Sequence, residues 1–190
     1  MQATDLRDYV KVYPGTIPPL HCDRIVQLFE QQQRHARLYH TDAYNFTQLE
    51  LHTIGANNLA QAVVLECNKV FHCYMKSVGA DHMAPSPQFE AVRIKRYEPH
   101  KAQEFRPHID NSADTSDRFL SYIVYLTDNA EGRTVFPNLG LAVACEKGAM
   151  LVFPPTWQYL HAGERPIDSN KYILVTSMMY PRPMIDGNSA

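Results

Sequence analysis

The sequence predicts a mostly β protein with supporting helices, an α+β chain whose core is a sandwich or jelly roll. Two observations carry that prediction. From residue 91 to residue 180, short segments rich in β-branched and aromatic residues follow one another closely, bounded by Gly, Pro, Asn or Asp. Ahead of them, apolar residues recur at helical spacing in two separate stretches.

Each element can be justified in order. Residues 10–13 form a short edge strand stopped by Pro14-Gly15. After Pro18-Pro19 the positions Cys22, Ile25, Val26 and Phe29 make one apolar helical stripe. Asn57-Asn58 signals a second helix start, and Ala60, Val63, Val64, Cys67, Val70, Phe71, Tyr74 and Met75 continue its stripe. Both helices are expected to back a sheet and to carry no chemistry. The stretch Pro85 to Pro87 closes this half. Strands are then expected at 91–97, 119–126, 134–136, 141–144, 149–153 and 171–180, with turns at Gly132 and around 138–140. We expect one domain over 1–190: helical support at 1–88, a β core at 89–180 and a frayed tail at 181–190.

Composition narrows the function classes. The 190 residues are 45% hydrophobic and 20% charged, with a net charge of -2, so no electrostatic grip on nucleic acid or an anionic membrane is expected. No apolar run approaches the roughly 18–20 residues of a membrane helix. No basic-then-apolar leader opens the sequence. Cys22, Cys67, Cys73 and Cys145 form no CxxC pair and read as free thiols, which points to a reducing, cytoplasmic setting.

The chemistry is carried by histidines and one acid. His-x-Asp occurs at His21-Cys22-Asp23, His40-Thr41-Asp42 and His108-Ile109-Asp110. The first lies at a helix entry, where Asp23 reads as a favourable first-turn charge. The second lies in a polar loop. Only the third opens the strand-rich half, where residues i and i+2 of a strand share a face and can grip one ion. His161, after the strand at 149–153, is the expected third ligand from a facing strand, with His82 and His100 as weaker competitors in Pro-flanked loops. Two histidines and a carboxylate leave open positions on a non-haem Fe(II), as oxygen activation requires. Lys171 follows ten residues after His161, and an inward ammonium there would hold the far end of a dicarboxylic acid. Arg165 is the alternative anchor.

These residues, taken in order, resemble the Fe(II)- and 2-oxoglutarate-dependent dioxygenases, in particular their prolyl 4-hydroxylase-like branch. The resemblance rests on Arg96-Tyr97, His108-x-Asp110, Arg118 leading into Ile123-Val124-Tyr125-Leu126, Gly132-Arg133-Thr134-Val135-Phe136-Pro137, Lys147-Gly148-x-Met150-Leu151-x-Phe153, His161-x-Gly163 and Lys171. It implies a double-stranded β-helix, jelly-roll or cupin-like, packed on the N-terminal helices. It implies Fe(II) on His108, Asp110 and His161, with 2-oxoglutarate and O2 as cosubstrates and ascorbate as a reductant. Lys171 would pair with the distal carboxylate of the cosubstrate, helped by Tyr125, Thr134 and Tyr97. Arg118 matches a position that contacts the prime substrate. The carboxylate of Asp110 argues for hydroxylation rather than halogenation.

The chain departs from that branch at three places. Phe105 stands where a tyrosine is usual, Ser177 where a tryptophan is usual, and Glu131 where a glycine is common. Phe105, Ser177 and Trp157 are therefore expected to shape an altered substrate pocket. The leading expectation is hydroxylation of a peptidyl residue, proline first. A free amino acid or other small metabolite is the second reading, and a non-catalytic binding scaffold the third.

Overall fold

The computed structural model describes residues 5–81 and 88–180. The predicted tail at 181–190, the helix stop at Pro85 to Pro87 and His82 lie outside them. In chain order the elements are β1 (Lys11–Tyr13), α1 (Pro19–Gln31), β2 (Arg37–His40), β3 (Tyr44–Glu50), α2 (Asn57–Ser77), β4 (Gln88–Phe89), β5 (Arg93–Tyr97) and β6 (Glu104–His108). They continue as β7 (Arg118–Tyr125), β8 (Asn129–Phe136), β9 (Leu141–Cys145), β10 (Met150–Phe153), β11 (His161–Gly163) and β12 (Lys171–Met179).

The strands form one antiparallel, curled sheet in the order β1-β10-β7-β12-β5-β3-β6-β11-β8-β9, with β2 beside β3 and β4 beside β12. β3 is the seam of the curl: its residues 47–50 pair with β5, and Tyr44 and Asn45 pair with β6. This is the double-stranded β-helix that the resemblance implied, backed by two helices.

Side-chain alternation sorts the strands into two buried layers. Leu120, Tyr122 and Val124 of β7, Met150 and Val152 of β10, and Tyr172, Leu174 and Met178 of β12 pack with Cys22, Ile25 and Phe29 of α1 and Val63, Cys67, Phe71 and Tyr74 of α2. The residues between them, Ile123, Tyr125, Leu151, Phe153 and Ile173, join Phe46, Tyr97, Phe136, Val143 and Tyr159 inside the curl. Burial on both faces is why β7, β10 and β12 read as nearly continuous apolar runs. Arg96 ties β5 to α1, binding Glu30 of α1 at 3.1 Å and Glu98 at 2.9 Å, while the Tyr172 hydroxyl donates to Glu30 at 2.5 Å.

Several sequence expectations change. Gly132 lies within β8 rather than at a turn, because β8 is longer than predicted. β2 and β3 replace the loop expected around His40. The first turn of α1 holds no acid; Asp23 lies deeper in the helix and bonds Lys147 at 2.6 Å. Neither Asn57 nor Asn58 caps α2, whose N-cap residue is Ala56. All four cysteines are free, with Cys22, Cys67 and Cys145 buried and Cys73 exposed.

Candidate metal centre and its cleft

Two strand ends and the turn after β6 build the site. His108 is the last residue of β6, and His161, the first of β11, is its partner across the antiparallel ladder. The third ligand candidate therefore comes from the neighbouring strand, not a facing one. Asp110 lies beyond β6, so the two-residue strand alternation does not place it. A polar turn does. Ser121 donates to Asp110 Oδ2 at 2.5 Å, and Arg118 and Thr115 each donate to its carbonyl at 2.7 Å.

One atom from each of His108, Asp110 and His161 lies within 4.8 Å of the others, a spacing that could hold a single ion. His108 Nδ1 donates to the Arg106 carbonyl at 2.8 Å and His161 Nδ1 to the Tyr159 carbonyl at 3.0 Å. Those bonds fix both tautomers and leave each Nε2 as the free donor atom. The two Nε2 atoms face the Asp110 oxygens at 3.5 and 3.7 Å. Phe105 stacks on the His108 ring at 3.4 Å, and Phe153 meets the His161 ring edge-on at 4.6 Å. Burial pushes the His161 imidazole down to about 4 against the pull of Asp110, so the ring is neutral near pH 7. Burial would raise the Asp110 carboxyl, but His161, His108 and Ser121 together hold it well below the usual carboxylate range.

Behind the cluster a cleft runs inside the curl of the sheet. It is lined by His108, Asp110, His161, Phe105, Tyr97, Thr134, Lys171, Ser177, Arg118 and residues not singled out from sequence, among them Lys95, Arg93 and Ser121. Lys171 is only 1% exposed, and its Nζ lies 5.2 Å over the Tyr97 ring. No hydrogen bond or ion pair to it is found among the described residues. Burial lowers its pKa. Gly132 makes room for the lysine stem: a Cβ there would stand 2.9 Å from Lys171 Cδ and 2.7 Å from Asn129 Oδ1. A buried ammonium with an open side and no partner is a costly arrangement, and an entering carboxylate would relieve it.

The remaining sequence candidates divide. Tyr125 is fully buried and donates to Thr134 Oγ1 at 2.8 Å, so it backs the cleft through Thr134. Arg118 lines the cleft but is clasped by both oxygens of Glu90 at 2.8 Å. Trp157 is 70% exposed and is not among the cleft residues. Arg165 is occupied by the Pro99 carbonyl at 2.6 Å. The missed residues had a signal. Once Tyr97 is taken as inward, Lys95 and Arg93 share its face, and an inward Tyr125 carries Ser121 with it.

Comparison with known proteins agrees with this architecture. The family described as the 2OG-Fe(II) oxygenase superfamily matches residues 92–178. No curated protein matches. Among solved structures, the viral collagen prolyl hydroxylase vCPH from Paramecium Bursaria Chlorella virus-1, in its 2OG complex, superposes with a TM-score of 0.70 at 20% identity, covering 91% of this chain and 97% of that one. A Pseudomonas putida prolyl-4-hydroxylase gives 0.68 at 12% identity, covering 92% and 94%. A prolyl hydroxylase from Trichoplax adhaerens, in complex with a hypoxia inducible factor oxygen degradation domain peptide fragment, gives 0.68 at 11%, covering 90% and 84%. Residues 92–178 thus match the 2OG-Fe(II) oxygenase superfamily, and within them lies a His/Asp/His cluster able to hold iron, which together support a 2-oxoglutarate-dependent oxygenase domain in the β core.

Proposed function

We propose that the protein hydroxylates an unactivated C–H bond of a peptidyl residue, proline first, with His108, Asp110 and His161 as the iron ligands and Lys171 as the anchor for 2-oxoglutarate. The observation that carries this reading is the buried Lys171 ammonium, without a partner among the described residues, in the same cleft as the three donor atoms. When bound, Fe(II) with 2-oxoglutarate and O2 supplies the oxidant that turns C–H into C–OH, with succinate and carbon dioxide as co-products.

The chain's own groups do the positioning. Lys171 meets the distal carboxylate, with Thr134, oriented by Tyr125, and Tyr97 around it. The carbonyls of Arg106 and Tyr159 keep both imidazoles presenting Nε2. Ser121 and Arg118 hold Asp110 in place, so that Arg118 acts on the acid as well as on the cleft wall. Phe105, Tyr97 and Ile173 exclude water from the cleft floor. The peptide bound to the Trichoplax relative supports a peptidyl substrate. Ser177 and Phe105 leave the pocket without the indole and phenol usual in the prolyl branch, which favours a free amino acid or small metabolite as the second reading. Free thiols throughout support a cytoplasmic setting, a single domain accounts for the described residues, and ascorbate is the reductant to supply.

Fe(II)- and 2-oxoglutarate-dependent succinate formation in the presence of candidate peptides tests the proposal, with anaerobic Mn(II) titration as the binding readout. Asp110→Gly should abolish turnover and weaken metal binding. Wild-type metal affinity and turnover in that variant would place the carboxylate ligand elsewhere.

A further inference from the structure

We infer that Lys95 is a specificity residue that takes up a carboxylate of the prime substrate. This rests on the oxygenase reading and adds the chemical class of what it acts on. Lys95 stands one inward step from Tyr97 on β5, opposite Ile173 of β12, and projects into the cleft. Its Nζ lies 4.2 Å from the Phe46 ring centre and 4.9 Å from that of Phe105, the ring that stacks on His108. Lys171, by contrast, runs its stem past Gly132 and sets its Nζ beside Gly163 and over the Tyr97 ring.

Charge balance shows what is lacking. Among the described residues, four cations line the cleft, Arg93, Lys95, Arg118 and Lys171, against one carboxylate, Asp110. Arg93 and Arg118 are balanced by Glu90 and Glu50 together, Glu90 bonding both and Glu50 standing 3.6 Å from Arg93. A divalent ion, Asp110, Lys171 and a dianionic cosubstrate sum to zero. The Lys95 charge is left over, and no hydrogen bond or ion pair to it is found among the described residues. Aromatic faces hold an ammonium in place without neutralising it. An anion arriving with the substrate completes the site.

Two sources share this chemistry: an acidic side chain next to the target residue in a peptide, and the α-carboxylate of a free amino acid. Protein loaded with Mn(II) and 2-oxoglutarate is titrated calorimetrically with matched peptides whose proline is flanked by Glu, Gln or Lys, and with free proline against prolinamide. We expect the carboxylate member of one series to bind at least tenfold more tightly than its neutral partner, and the series in which this occurs identifies the source. Lys95→Met should erase the preference while 2-oxoglutarate affinity stays the same, and Lys95→Glu should turn it toward the Lys-flanked peptide. Equal binding within both series, or binding by no member, overturns the inference while leaving the oxygenase reading intact. So does a Lys95→Met variant that loses cosubstrate affinity and keeps the preference, which would make Lys95 a second cosubstrate anchor. Failure of the wild-type protein to bind Mn(II) or 2-oxoglutarate at all removes both.

Discussion

The two faces of β5, β7 and β12 differ in what they carry. Toward the helices these strands present Ile94, Tyr122, Val124, Leu174 and Met178, a largely apolar layer whose one charge on β5, Arg96, is paired with Glu30. One residue along, the same strands present Lys95, Ser121, Lys171 and Ser177 to the cleft. The contrast teaches that stability and chemistry are divided by the two-residue period of a strand, not between domains. The helix-backed layer holds the backbone rigid, and the cleft layer can then carry unpaired charge.

If the division is real, outer and inner substitutions should have opposite signatures. Phe71→Ala, at a fully buried position of α2, should cost about 3–5 kcal/mol in urea denaturation and leave 2-oxoglutarate affinity of the folded protein intact. A parallel loss of affinity would show that the faces are not independent. Gly132→Ala, facing the Lys171 stem, should cost about 1–3 kcal/mol and weaken cosubstrate binding as well, since the stem must shift. Lys171→Met should do what no outer substitution does. It should raise stability by about 1 kcal/mol or more by removing a buried charge, while weakening 2-oxoglutarate binding at least tenfold, or ~1.4 kcal/mol.

A pH series sharpens the comparison. Burial holds Lys95 at about 8, below its ordinary 10.5. The unfolded chain then binds more protons between those values, so this residue's cost is full below pH 8 and fades as pH rises. Lys95→Met should be more stable than wild type at pH 7, with the difference shrinking toward pH 10.5; a constant difference would point to packing instead. The smallest effect concerns thiols. Burial pushes Cys22 and Cys145 up to about 11 and Cys67 to about 12, so a thiol reagent at pH 8 should label Cys73 alone in the folded protein, read by intact mass.

The sequence made some of this legible for physical reasons. α1 and α2 bury a single face, so their periods show in Cys22, Ile25 and Phe29 and in the stripe from Val63 to Met75. The doubly buried strands β7, β10 and β12 show as apolar runs. β2 and β3 did not show, because β2 is largely exposed and polar residues interrupt β3. Among the site residues, His108, Asp110, His161 and Lys171 were picked out by spacing, and the structure gathers them around one cleft. Lys95 and Ser121 do not stand out in the sequence, because a polar residue in a strand ordinarily reads as a solvated face. Trp157 stands close to His161 in the chain, yet its loop turns the ring to solvent.

One rung of the ladder reaches beyond the site itself. β11 is three residues long, its pairing with β6 shifts register immediately after His161, and His161 meets His108 across the first rung. An ion shared by those rings would act as a rivet between neighbouring strands at a short, irregular join. Loading would then lock strand alignment, and melting temperature should climb with free metal concentration by mass action. Empty protein would lose that alignment first, and with it the floor on which any substrate must rest.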